Sequence, residues 1–400
     1  MEEFKKYKFG DIVNILDSKR IPLSATQREN RKGIYPYYGA QGIIDYIDDY
    51  IFDGTYLLIA EDGENLKSQK NNIAQIAIGK YWVNNHAHIV ESNGSCDIRY
   101  ICYLLNKIDI SGYITGSAQP KLNQANLQSI ELSLPSLTVQ KRIADYIDLF
   151  DSKISLNRRI NDNLEQQAQA LFKSWFVDFE PFKDGKFVES EMGMIPEGWK
   201  VGTIGEYCSI RSGYAFKSSW WQETGTKVIK IKNITDNKTL DMSDCSYVSS
   251  DKTYKAIDFQ ASPGDLIIAM TGATIGKFCI IPFHNDNIYI NQRVGKFFLG
   301  NNPLDRLPFI YCCLSYEPIY NEIISKGQGS AQPNIGGADI ENIRIVLSPS
   351  TELKEFNSLL RPIFQKKMQI EYELSKLSVL RDTLLPRLMS GELKINDLNC

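Results

Sequence analysis

Histidines, a lysine behind a glycine turn, and carboxylates close to lysines are the residues of this chain whose types and spacing suit catalysis. Each group falls short of a catalytic set. His86 and His88 fall on the same side of a strand, but no cysteine or carboxylate stands at metal-ligand spacing beside them, and the third histidine, His284, is far away. A structural or base-contacting role is expected for the pair, and no metal site. "GATIGK", from Gly272, looks like a phosphate loop, yet it is one residue short between its glycines, and Phe278 follows the lysine where Ser or Thr would meet magnesium. A turn after a strand is expected there. "DTLLPRLMSGELK" sets Asp382 near a Glu-x-Lys, as nucleases do, but Asp382 falls in a heptad helix and Pro386 intervenes. There is no GxGxxG, and no Asn/Asp-Pro-Pro-aromatic stretch with which an amino-methyltransferase grips its target amine. These absences predict a chain that is not itself an enzyme and that binds no cofactor of its own.

The elements that carry these residues come in two copies. "GSAQP" occurs at Gly116 to Pro120 and again at Gly329 to Pro333, each time followed by a short strand-like run, a proline and a helical pattern. "YKFGDI" at Tyr7 matches "WKVGTI" at Trp199, "DGTYLLIA" at Asp53 matches "PGDLIIA" at Pro263, and "VNNHAHI" at Val83 matches "INQRVGK" at Ile290, all in one order. The chain therefore reads as two units, each a globular part followed by a helix. Runs such as "TYLLIA", "IAQIAI", "KVIKIKNI" and "DLIIAM", bounded by Gly, Asn, Asp and Pro, predict strands and an α+β fold with two mixed α/β parts.

From Thr138 to Phe179, apolar residues recur at Val139, Ile143, Tyr146, Phe150 and Ile154. After a phase shift through Asn157 and Asn161 they resume at Ile160, Leu164, Ala168, Leu171 and Trp175, which predicts one long amphipathic helix. In the second stretch Leu353, Leu360, Leu374 and Leu388 share one heptad position and Phe356, Ile363, Ile370, Leu377 and Leu384 another, with only Lys367 and Arg381 interrupting. Ser350 or Thr351 caps its start, Pro362 is expected to kink it, and Pro386 to end or bend it before Ser390 and Gly391. At roughly 40 residues and 1.5 Å rise, each helix would be about 60 Å long. Two such apolar stripes in one chain are expected to pair antiparallel, as a dumbbell of approximate twofold symmetry. The alternative is that each helix folds back on its own globular part.

With 45 Lys and Arg against 48 Asp and Glu, a net charge of -3, the chain is no basic polymer-binder, so any nucleic-acid surface must be local. Its start has no apolar signal-peptide core, and no run reaches the roughly 18 apolar residues of a membrane span. A cytoplasmic protein is expected. The 8 cysteines, including adjacent Cys312 and Cys313, show no CxxC spacing, which predicts buried reduced thiols.

Taken together, "YPYYGAQGIIDYIDDYIFDGTYLLIAEDG", "YWVNNHAHIV", both GSAQP loops, "INQRVGKF", "ALFKSWFVDF" and "LRDTLLPRLMSGEL" resemble the specificity subunit of type I restriction-modification systems, over essentially the whole chain. The resemblance implies a target recognition domain over 1–137, a spacer helix over 138–180, a second recognition domain over 181–349, a second spacer helix over 350–390 and a tail over 391–400. It implies that each domain reads one half of a split sequence in double-stranded DNA. The helices would dock two methyltransferase subunits, which hold S-adenosylmethionine, and the assembly would recruit restriction subunits that use ATP and magnesium. A two-headed coiled-coil scaffold that never meets DNA is the alternative.

Reading DNA needs amides and guanidinium groups at base edges and cations at phosphates. In the first domain the candidates are Lys19, Arg20, Arg28, Arg31, Lys32, Tyr37, Tyr38, Gln41, Asn84, Asn85, His86 and Lys121. In the second they are Arg211, Tyr214, Lys217, Trp220, Lys230, Lys232, Gln292, Arg293 and Gln328. Against this stand core roles for Tyr37 and Tyr38, a turn-capping role for the Asn pair, and a packing corner at Trp220-Trp221. The second loop reads "QPNIGGADI" where the first reads "QPKLNQANL", so a phosphate role for Lys121 is not one that both copies share.

Overall fold

The computed structural model describes residues 4–116, 119–327 and 333–398. The chain forms two compact units, one of Met1–Lys153 with Ser378–Cys400, the other of Ile154–Leu377. Two helices of 40 residues, Leu137–Phe176 and Ser350–Met389, each contribute to both units, so the compact bodies do not break where the globular parts end. The fold is α+β.

In the first unit β1 (Lys5–Lys8) pairs antiparallel with β8 (Glu131–Leu134), closing the globular part just ahead of the first long helix. Between them lie β2 (Val13–Ile15), β3 (Lys32–Gly39), β4 (Gly42–Ile47), β5 (Phe52–Ala60), β6 (Ala74–Val83) and β7 (Ala87–Ser92), in one sheet of order β2-β7-β5-β6-β3-β4. Only β3 and β6 run parallel. Strand alternation explains why "LLIA" is apolar on both sides. Leu57 and Ile59 face a core with Phe9, Tyr100, Ile143 and Leu388, whereas Leu58 faces Phe52, Tyr81 and Ile89.

The second unit opens with a hairpin of β9 (Phe187–Ser190) and β10 (Gly193–Pro196). β11 (Lys200–Thr203) then pairs antiparallel with β20 (Arg344–Leu347), as β1 does with β8. Here the sheet is split in two. One has the order β12 (Ser209–Ser212), β19 (Val294–Phe298), β16 (Leu266–Ala269), β17 (Phe278–Ile280); the other β13 (Trp221–Gln222), β15 (Ser246–Val248), β14 (Thr226–Ile229), β18 (Ile288–Ile290). β14 and β18 are parallel, like β3 and β6. The "GATIGK" segment makes a short 3₁₀ turn, Gly272–Thr274, after β16.

The two long helices pack together. In the second unit the Asn161 amide donates to Glu371, and Glu165 receives Lys367 at 2.6 Å, so four residues forward on one helix match four back on the other. That is an antiparallel register. Phe172 and Phe176 meet Phe356 beside it. Glu165 also accepts from Lys238 at 3.0 Å, the Tyr311 hydroxyl at 2.8 Å and the Ser315 hydroxyl at 3.4 Å. Burial pushes its carboxyl upward, but Lys367 and Lys238 outweigh this and hold it down to about 2. In the first unit Arg381 reaches Asp151 at 2.8 Å, and Ile143 and Ile147 join Leu385, Leu388 and Met389 in the core. Both cations that interrupt the heptad seam thus meet carboxylates of the opposing helix. The second helix runs through Pro362 and ends at Met389, ahead of Gly391, whose φ is +75°. Burial of Leu385, Leu388 and Met389 offsets the backbone bond lost at Pro386.

No described helix is long and apolar enough to cross a membrane. The seven described cysteines are free thiols, and all but Cys245 are buried.

Candidate nucleic-acid interface

The repeated pentapeptide closes a backbone clasp in each unit. In the first, the N–H of Gly63 donates to the Pro120 carbonyl at 3.1 Å and that of Leu122 to the Glu61 carbonyl at 2.8 Å; in the second, Gly272 donates to Pro333 and Ile335 to Met270, both at 2.9 Å. The clasp needs glycine, since Gly63 has φ +114° and Gly272 φ +73°. Ser117, Ala118 and Gln328 to Gln332, and with them the candidate Gln328, lie outside the described residues.

Next to each clasp stands a buried asparagine. The Asn84 side-chain oxygen accepts from the N–H of His86 at 2.8 Å, and that of Asn291 from the N–H of Arg293 at 3.4 Å. Their own N–H groups bond Tyr38 and Ile229 across the two parallel strand pairs, each at 3.0 Å. This turn pushes Asn85 and His86 outward in one unit and Gln292 and Arg293 in the other. Asn84, proposed above for base contact, is instead a buried turn-former.

Beneath the first clasp lies an unforeseen charge network. The carboxylates absent from the sequence neighbourhood of His88 arrive from elsewhere: Asp17, Glu61 and His88 bring their ligand atoms within 4.8 Å of one another. These donors are already committed. Nδ1 of His88 faces Asp17 at 2.6 Å and Nε2 faces the Leu122 carbonyl at 2.7 Å, so both ring nitrogens are engaged. Arg20 pairs with Glu61 at 2.7 Å and Asp17 at 3.4 Å and donates to the Ala87 carbonyl, and Lys121 pairs with Glu61 at 3.2 Å. For both acids burial works upward, but the surrounding cations and hydrogen bonds prevail and keep the carboxyls below their ordinary range. The set forms an ion-pair network.

Several other first-unit candidates are also engaged. Arg28 and Lys32 pair with Asp45, and Arg31 with Asp48 and Asp49. Tyr37 is fully buried and its hydroxyl accepts from the N–H of Leu23, so it belongs to the core. Tyr38 is half-buried, edge-on to Tyr81. His86 is exposed but holds Asp62 at 2.7 Å. Lys19, Gln41 and Asn85 remain exposed with no side-chain bond among the described residues. The polar run "QKNN" between β5 and β6 was passed over above, although its composition was the available signal. Lys70, Asn71, Asn72 and Gln75 line, with Gln41, an open concavity of about 510 Å³.

In the second unit Trp220, Trp221 and Tyr214 pack against Phe216, Val228 and Val248, so the tryptophan pair is a packing corner. It still presents cations: Lys230 lies 3.6 Å above the Trp221 ring and Lys217 5.5 Å from that of Trp220. Burial, with Lys232 and Arg293 nearby, lowers the ammonium pKa of Lys230. Lys232 pairs with Asp244 at 2.5 Å, and Arg211 covers Phe298. Gln292 and Arg293 are exposed, with no side-chain bond among the described residues.

Comparison with known proteins gives this duplicated arrangement a family. The profile of the type I restriction modification DNA specificity domain matches residues 1–166 and 196–376. The chain belongs to that family. It is a DNA specificity subunit of a type I restriction-modification system, a non-catalytic component. This specificity subunit is 27% identical over 430 residues to the MjaIX specificity subunit of Methanocaldococcus jannaschii, covering 99% of this chain and 98% of that protein. The HindI specificity subunit of Haemophilus influenzae is 22% identical, over 98% of this chain and all of its own length. The fold matches the crystal structure of the type I S subunit from M. genitalium with a TM-score of 0.66 at 16% identity, covering 96% of each chain.

Proposed function

We propose that the globular parts of the two units, within 1–137 and 181–349, each read one half of a two-part target in double-stranded DNA. The observation that carries this is the pair of Asn-centred turns. The same buried asparagine holds the same backbone in both units, yet presents Asn85 and His86 in one and Gln292 and Arg293 in the other. One scaffold bearing two sets of edge-matching groups suits two different half-sites. The long helices, 138–180 and 350–390, dock two methyltransferase subunits. In support, Leu149, Val379 and Leu380 are exposed on the helices in the first unit, and Leu156 and Leu359 in the second. S-adenosylmethionine belongs to those partners, and ATP and magnesium to the restriction subunits, all in the cytoplasm. Mapping methylated adenines genome-wide in cells with and without the gene tests the reading: a split motif should vanish on deletion, and an unchanged map would refute it.

A further inference from the structure

The concavity lined by Gln41, Lys70, Asn71, Asn72 and Gln75 is built like a reading head: rigid below and unsatisfied above. Its floor is fixed by two asparagines that point inward. Asn65, 5% exposed, donates to the carbonyls of Asn71 at 2.8 Å and Asn72 at 3.4 Å, and its side-chain oxygen accepts from the N–H of Asn71 at 2.9 Å. Asn106 accepts from the N–H groups of Ile73 and Ala74 and donates to the Ala74 carbonyl, all within 2.9 Å. Gln69 begins the turn in the left-handed region at φ +44°, its amide donating to the Ile108 carbonyl at 3.2 Å. The backbone of residues 71–74, which enters β6, is thereby held by side-chain bonds from two other elements.

The face turned to solvent is the opposite. The side chains of Gln41, Asn71, Asn72 and Gln75 make no hydrogen bond, and Lys70 makes no ion pair, among the described residues. Ile73 and Ala74 lie buried beneath. The concavity thus offers amides, one ammonium and no apolar anchor. That does not suit a protein partner, whose binding needs buried aromatic or aliphatic anchors. It suits a nucleobase edge, because a side-chain amide carries a donor and an acceptor in one plane, and that pair matches N7 and N6 of adenine in the major groove. The clasp adjoins it, since Gln41 reaches toward Gly63, whose N–H bonds Pro120.

We propose that this concavity reads an adenine in the half-site of the first unit, Asn72 and Gln75 supplying the amide contacts, Gln41 flanking them and Lys70 meeting a neighbouring phosphate. The inference rests on the DNA reading proposed above. It is tested with the full chain in complex with its methyltransferase partners, selecting from a duplex library randomised in both half-sites. The wild type should enrich adenine at one position of the first half-site. Asn72→Ala with Gln75→Ala should lower that enrichment roughly 5- to 150-fold and leave the second half-site unchanged. Replacing that adenine by 7-deazaadenine, which lacks the N7 acceptor, should weaken the wild type but not the double variant. Lys70→Ala should weaken all sequences alike and reduce the salt slope by about one. Undiminished adenine selection by the double variant overturns the inference while the DNA reading stands. A wild-type complex that selects no base at any position overturns both.

Discussion

Where Glu61 stands in the first unit, Met270 stands in the second, and each offers its carbonyl to the same clasp, to Leu122 and to Ile335. Below Glu61 lie Arg20, Lys121, His88 and Asp17; beside Met270 lie Ile210, Ile268 and Ile335. The second unit keeps its carboxylates elsewhere, Glu165 on the helix seam and Asp265 buried beside Lys296. A backbone that satisfies its own N–H and C=O groups leaves the side chains beneath it free to be charged or apolar, as long as each set is internally satisfied. The duplicated fold therefore survives in bonds that sequence identity does not report.

The comparison breaks hardest where a charge loses its partners. Glu165→Ala should cost the second unit about 3–5 kcal/mol, since two ammonium groups and a tyrosine hydroxyl lose their acceptor. Glu61→Met, which gives the first unit the second unit's residue, should cost about 3 kcal/mol, the low end for a broken buried pair, because Arg20 and Lys121 keep some access to water. Met270→Leu should cost less than about 1.5 kcal/mol. Hydrogen exchange read on β7 and β19 in one experiment separates the units. A neutral Glu61→Met would show that the network contributes no stability.

The shared backbone gives smaller and matched effects. Gly63→Ala and Gly272→Ala should each lower stability by about 1–2 kcal/mol, because both glycines lie at positive φ with open space around the added Cβ. A difference between them of more than about 1 kcal/mol, in chemical denaturation followed by exchange, would contradict an equivalent clasp.

Acid should separate two local networks by sign, the one under Glu61 and the one around Asp265. Asp17 and Glu61 have lowered pKa values in the folded state, so their contribution is complete above the ordinary carboxylate range and is lost as pH falls through the lowered values. Asp265, paired with Lys296 at 2.7 Å, is shifted upward by burial, which outweighs the lysine. Its ionised form costs stability, and protonation on mild acidification removes that cost. Protection, corrected for the intrinsic exchange rate, should therefore rise around β16 on mild acidification, and that of β7 should fall as pH drops below the ordinary carboxylate range. Asp265→Asn should remove the β16 response, and its persistence would assign it to another group.

Smallest in stability, within about 0.5 kcal/mol, are Asn85→Ala and Gln292→Ala, both exposed. Each should change base preference in its own half-site by about 1–3 kcal/mol in a panel of single-base duplex variants, leaving the other half untouched. Equal weakening at every position would assign them to phosphates.

Much of the fold was legible because its signals are local. Heptad spacing from Leu353 to Leu388 marks a helix that is one continuous element, and "DGTYLLIA" marks a strand, whose LLIA end the structure buries on both faces. That Lys367 and Arg381 interrupt the seam was legible too, but the acids opposite them, Glu165 and Asp151, came only with the structure. The candidate site was less legible. Arg20, Arg28 and Arg31 look like phosphate cations in sequence, but acids on other elements neutralise them. Asn84 and Asn85 are neighbours of one type, and only the turn that buries the first and exposes the second tells them apart.

By itself the sequence determined that the chain carries one pattern twice, that each globular part is followed by a long amphipathic helix, and which family it resembles. Periodicity and repetition are properties of the chain read along its length. Only the tertiary structure decided which polar groups are consumed. The Asp17, Glu61 and His88 cluster and the Gln41, Asn72 and Gln75 concavity are each assembled from separate strands and turns. Whether an amide or a cation is free for DNA depends on what folding brings beside it, and such contacts leave no periodic trace in a single sequence.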